Sequence, residues 1–146
     1  MVSEKKNSIS QPDWGATAAS ILNGCFGDYL NDRDNGLAID MAFYQNNRPL
    51  ELSVDALRAA CPTPTDRLCV LVHGLCCHEG GWDFPGDPAR SYGRALQHDV
   101  GYTPFTLRYN TGLPIPYNGQ ILDTLLESLL AAYPGPVDEL ILIGHS

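Results

Sequence analysis

The sequence predicts an α/β fold: a mostly parallel sheet with an N-terminal β-hairpin. Three observations carry this. Leu68-Cys69-Val70-Leu71-Val72 and Glu139-Leu140-Ile141-Leu142-Ile143 are short, largely apolar runs of the kind that strands buried on both sheet faces present. Helical patterns alternate with such runs, which implies parallel pairing through right-handed crossovers. Ahead of them, Leu37, Ile39, Met41 and Phe43 alternate with Ala38, Asp40, Ala42 and Tyr44, the period of a half-buried strand.

Taken in order, residues 1–13 are polar and read as a flexible N-terminus, leaving 14–146 for a single domain. Asp13 caps a helix expected over 14–23, where Trp14, Ala18, Ile21, Leu22 and Cys25 recur at helical spacing and Gly24 and Gly27 weaken the end. The alternating strand follows. Gln45-Asn46-Asn47-Arg48 supplies a turn, and Pro49-Leu50-Glu51-Leu52 returns antiparallel. Ser53 opens a short helix through Leu57 and Cys61, which Pro62 and Pro64 end.

Leu68–Val72 is the next strand and runs into His73-Gly74-Leu75 and a Gly-rich loop to Pro85. Asp87-Pro88 signals a helix start, with Tyr92, Ala95, Leu96 and Val100 as its inner face and Gly101 as its stop. Pro104–Tyr109 is a strand. Asn118 starts the clearest helix, in which Ile121, Leu122, Leu125, Leu126, Leu129, Leu130 and Tyr133 form one stripe. Pro134-Gly135-Pro136 breaks it, and the last strand begins near Asp138.

Composition narrows the function. The 146 residues include 44% hydrophobic and 18% charged residues, which is a globular balance. A net charge of −8 leaves no face able to neutralise a row of phosphates, so nucleic acid is not an expected partner. Nothing approaches the roughly 18 consecutive apolar residues of a membrane span, and the first residues lack the apolar core of a signal peptide. The expected location is therefore cytoplasmic. Five cysteines at irregular spacing read as reduced thiols rather than a disulfide framework.

Two motifs sit at predicted strand ends, where parallel sheets bind ligands. His73-Gly74-Leu75 follows one strand and Gly144-His145-Ser146 follows another. A buried strand ending in Gly-His-Ser is the first half of G-x-S-x-G, a sharp turn that lifts a serine hydroxyl clear of its surroundings. Together with the strand order, these motifs resemble the α/β-hydrolase superfamily. The stretch from Tyr92-Gly93-Arg94-Ala95-Leu96 through Arg108-Tyr109-Asn110-Thr111-Gly112 is similar to its bacterial lipase and esterase members. The resemblance covers residues 36–146, with the hairpin as the first two strands; the alternative is another doubly wound domain.

What the resemblance implies is a serine ester hydrolase. Ser146 is the nucleophile, and Gly144 and His145 form the elbow. The Leu75 backbone N–H is one oxyanion donor, while His73 and Gly74 shape its loop. Such donors matter: losing one typically costs about 100- to 1000-fold in rate. The general base and its acid should follow the serine, and none of His73, His78, His98 and His145 does so. The sequence ends on Ser146, so the resemblance implies a sheet truncated after its fifth strand and a polypeptide inactive by itself. Glu139–Ile143 would then be an exposed edge strand.

Other roles are weighed beside these. His73 fits a loop-shaping residue better than a base. Trp82, Tyr109 and Asn110 could line the substrate site, as Phe84 could an acyl pocket; packing roles are open to each. The adjacent pair Cys76-Cys77 does not match the spacing of structural zinc ligands, so no metal and no cofactor are expected. The expected substrate is a small-molecule or lipid ester, and nothing sets an oligomeric state. Acyltransferases and thioesterases share the elbow, and a non-catalytic binding domain would keep the sheet alone.

Overall fold

The computed structural model describes residues 14–32, 39–85 and 87–146, apart from the side chains of 26–32, Pro88 and Ala89. The N-terminal segment 1–13 and the first part of the alternating stretch, 36–38, lie outside the described residues. In order the elements are α1 (Trp14–Asp32), β1 (Ala42–Gln45), β2 (Arg48–Pro49), α2 (Val54–Ala60) and β3 (Arg67–Val72). A single 3₁₀ turn (Glu79–Trp82), β4 (Asp83–Phe84), β5 (Asp87–Ser91) and α3 (Tyr92–Val100) follow. The chain closes with β6 (Thr103–Arg108), α4 (Ile115–Ala132) and β7 (Glu139–Gly144).

The main sheet has five strands in the order β2-β1-β6-β3-β7. β3 pairs in parallel with both β6 and β7, whereas β1 runs antiparallel to β2 and to β6. The fold is thus α/β with a mixed sheet, and its hairpin is the antiparallel part. Asn46 and Asn47 make the hairpin turn with φ of 52° and 60°; two left-handed residues are what a two-residue turn between twisted strands requires.

Helices cover both faces, which explains why β3 is apolar without alternation. Leu68 and Val70 point to one face, where they join Phe43, Phe105, Leu107, Leu57 of α2 and Leu129 and Tyr133 of α4 in the buried core. Each such side chain contributes roughly 1.5–3 kcal/mol by leaving water. On the other face α3 comes close because it carries Gly93. A Cβ there would lie 3.1 Å from Pro104 Cβ and 3.4 Å from Leu71 Cδ1. No described helix is long and apolar enough to cross a membrane.

Four boundaries differ from those the sequence predicts. α1 continues to Asp32 through Gly24 instead of ending near residue 23. Glycine inside a helix costs about 1 kcal/mol relative to alanine, but here it permits a close approach: a Cβ on Gly24 would stand 2.4 Å from Cys76 Sγ. The segment Asp87–Ser91 is not a helix start but a strand paired antiparallel with β4. α3 begins only at Tyr92, where the Ser91 hydroxyl accepts from the Arg94 N–H at 3.2 Å. Phe84 packs on Tyr92 with ring centroids 4.7 Å apart, and that contact favours the ribbon over an earlier helix.

α4 begins at Ile115, ahead of Asn118, because Pro116 falls in the first turn where its missing N–H costs nothing. Asn118 instead donates from Nδ2 to the carbonyls of Asn110 (2.9 Å) and Leu113 (3.3 Å), fastening the preceding loop. The return strand is likewise shorter than expected, at Arg48–Pro49, although the Leu50 N–H still donates to the Phe43 carbonyl at 2.7 Å. The inner faces of the helices are narrower than the sequence suggests, since Tyr92, Val100 and Leu130 are exposed. All five cysteines are free thiols.

Candidate active site

β3 and β7 are neighbours in parallel register from Arg67↔Glu139 to Val72↔Gly144. Their carboxyl ends therefore deliver His73-Gly74-Leu75 and His145-Ser146 to the same end of the sheet. The His145 N–H extends the ladder by one bond, donating to the Val72 carbonyl at 2.9 Å. The two loops touch. A Cβ on Gly74 would lie 2.8 Å from the His145 carbonyl oxygen and 3.4 Å from Ser146 Cα, so only glycine fits there without a shift. By contrast, a Cβ on Gly144 would meet nothing within 4 Å.

The loop after β3 is held from several sides. The Tyr109 hydroxyl donates to the His73 carbonyl at 2.9 Å. The Cys77 N–H donates to the Gly74 carbonyl at 3.1 Å, and the Cys76 N–H to Thr111 Oγ1 at 3.2 Å. Cys76 takes a left-handed φ of 58°. Between these anchors Leu75 is 68% exposed, and its N–H has no hydrogen-bond partner among the described residues. An uncommitted N–H on an anchored loop is what an oxyanion donor needs.

Further along, Glu79 makes a charge-assisted bond to Arg108, with Arg108 Nε 2.6 Å from Glu79 Oε2 and a second contact from Nη2 to Oε1. Both side chains are largely buried, at 12% and 13% exposure. The Arg108 guanidinium lies 3.9 Å over the Tyr44 ring and also reaches Asn47 Oδ1. This links the loop to β6 and to the hairpin. The sequence offers no local signal for it, because the partners are far apart in the chain.

The histidines are all accounted for. His73 is buried and stacks on Tyr109 at 4.6 Å. Its Nδ1 lies 3.0 Å from the Gly74 carbonyl, which can only accept, so Nδ1 carries the proton and Nε2 does not. Nε2 is buried with no partner among the described residues. Burial pushes the His73 pKa down, against the Gly74 bond and nearby Glu79 that favour the charged form. His78 Nδ1 accepts from the Gly80 N–H at 3.1 Å, and its Nε2 meets Thr17 Oγ1 at 3.2 Å. His98 pairs with Asp99 at 2.7 Å on an exposed turn. His145 meets Trp82 edge-on at 6.2 Å. Among the described residues none of them is hydrogen-bonded to Ser146.

The other predicted residues divide. Trp82 meets His145 edge-on, and its indole N–H is buried without a partner among the described residues. Tyr109 reaches the site through His73, and burial pushes its phenol pKa up, so it stays a donor through neutral pH. Asn110 is 1% exposed, and its Oδ1 accepts from the Gly112 N–H at 3.0 Å. It builds the turn after β6 and presents no surface to a substrate. Phe84 packs on Tyr92, under the Arg90 guanidinium at 5.0 Å.

Two surface concavities lie elsewhere, one along α4 at Tyr117, Ile121 and Leu125 and one beside α3 at Arg94 and His98. Neither is lined by Gly74 or Ser146. No three His, Cys, Asp or Glu among the described residues are arranged to hold a metal ion. The chain matches no family model, no curated protein and no solved structure.

Proposed function

We propose that this chain has an α/β-hydrolase fold and carries, in Ser146, the nucleophile of a serine hydrolase acting on carboxylic esters. The substrate is a small-molecule or lipid ester, the setting is cytoplasmic, and no cofactor takes part. The observation that supports this reading is the contact of Gly74 with His145 and Ser146 at the ends of two adjacent parallel strands. It sets the Ser146 backbone against the loop that carries the Leu75 N–H.

In the proposed reaction Ser146 Oγ attacks the ester carbonyl, and the Leu75 N–H receives the developing oxyanion. The acyl group is then held on Oγ until water releases it. A general base must take the serine proton. Among the described residues no histidine is hydrogen-bonded to Ser146. That same fact favours a second reading, a non-catalytic domain of this fold.

One experiment separates the two. A fluorophosphonate probe applied to the protein in extracts of the cells that make it should label Ser146, mapped by mass spectrometry, and Ser146→Ala should abolish the label. Absence of labelling, or a label that survives the substitution, would leave only the binding domain.

A further inference from the structure

β7 leaves one row of its backbone groups unused. The Glu139 N–H donates to the Asp66 carbonyl at 3.2 Å, and the His145 N–H to the Val72 carbonyl at 2.9 Å. A strand sends the N–H and C=O groups of successive residues to alternate sides, so those of Ile141 and Ile143 also face β3. Those of Leu140, Leu142 and Gly144 point to the opposite edge, where no strand pairs with β7 among the described residues. Leu142 is 55% exposed, whereas Val70, beside it in the register, is 0% exposed. The open side of Leu142 is therefore the outer edge of the sheet.

A long apolar edge is a template for another strand. The far edge of the same sheet cannot supply one. β2 is Arg48–Pro49, 2 residues long, and its proline has no N–H to give. The strand of this molecule that matches β7 in length and character is β7 itself.

We propose that β7 pairs antiparallel with β7 of a second copy of this chain, about a two-fold axis at Leu142, to give one sheet running through a dimer. In that register Leu142 faces Leu142 of the second copy, and Leu140 faces its Gly144. All the outward residues then fall in bonded pairs, each exchanging two N–H···O bonds. On the opposite face Ile141 meets Ile143 of the second copy, and Glu139 meets its His145. Side chains directly opposed in this way stand about 4.5–5.5 Å apart.

Apolar residues thus meet apolar ones along the strand, and a carboxylate meets an imidazole at each end. Glu139 is already set for this. Arg67 Nε and the Tyr102 hydroxyl hold its Oε2 at 2.8 and 2.7 Å, yet its side chain is still 44% exposed. His145 is exposed as well. Moving the axis to Ile141 would set Glu139 against Ile143 and lose the match. The contact is isologous and consumes both open edges, so it stops at two chains. It holds whether or not Ser146 is a nucleophile.

The test uses the 146-residue chain. Sedimentation equilibrium over a concentration series should reach twice the mass of one chain. Amide exchange followed by NMR should protect Leu140, Leu142 and Gly144 in the dimer and lose that protection on dilution, while Ile141 and Ile143 stay protected throughout. Leu142→Pro removes an N–H that β3 does not use and should return the mass to one chain. Leu142→Arg keeps the backbone, sets two like charges face to face, and should do the same. A single-chain mass at every concentration, growth beyond two chains, free exchange of the Leu142 amide in the dimer, or a dimer that survives both substitutions would each overturn the proposal.

Discussion

The Tyr109 hydroxyl donates to the His73 carbonyl at 2.9 Å while the two rings stack at 4.6 Å. One side chain at the end of β6 thus holds both the backbone and the imidazole of the residue that follows β3. Tyr109→Phe keeps the stack and removes the bond. It should lower stability by about 1 kcal/mol, read from a urea midpoint. If the loop serves Ser146, it should also slow fluorophosphonate labelling.

Gly74→Ala places a methyl 2.8 Å from the His145 carbonyl. Neither backbone can yield without moving its loop, so the cost should be about 1–3 kcal/mol, as for other overpacked positions. A thermal melt unchanged from wild type would show that the two loops are not in contact.

Glu79→Ala should be the most damaging of these changes. It strands the Arg108 guanidinium, 13% exposed, without its carboxylate, and breaking one side of a buried pair costs about 3–5 kcal/mol. Glu139→Gln at the Arg67–Glu139 pair, where the side chains are 42% and 44% exposed, should cost far less. Denaturation curves of the two variants give the comparison directly.

His73 makes stability depend on pH. Its folded pKa is held below the ordinary value of about 6.5, so just below that pH the unfolded chain binds the extra proton. The stability this burial allows is complete above about pH 6.5 and is lost as pH falls toward the folded pKa. The urea midpoint should therefore be lower at pH 5.5 than at 7.5, and His73→Gln should shrink that difference.

The 146-residue chain should not turn over p-nitrophenyl acetate above background, because no described histidine is engaged with Ser146. Turnover that disappears in Ser146→Ala would show that a base reaches the serine after all.

What could be read in the sequence follows from how local each cause is. β3 and β7 are legible because a strand buried on both faces must be apolar throughout. Both motifs were visible, and parallel pairing of their strands was enough to expect them at one end of the sheet. The end of α1 was not legible, since Gly24 is tolerated only through its approach to Cys76. Nor was the start of α3: Asp87-Pro88 is a sound local signal that Phe84 and Tyr92 override by packing. The Glu79–Arg108 and Tyr109–His73 contacts join residues 29 and 36 positions apart, and no spacing rule relates such pairs.

The ladder between β3 and β7 works as a ruler. Its zero mark is Arg67↔Glu139, where the Arg67 Nε donates to Glu139 Oε2 at 2.8 Å, and its far mark is Val72↔Gly144. Each residue along it measures about 3.3 Å and turns the side chain to the opposite face. One residue inserted between those marks would carry Ser146 about 3.3 Å past Gly74 and invert it. The reach of the serine is thus graduated by an ion pair at the other end of the sheet.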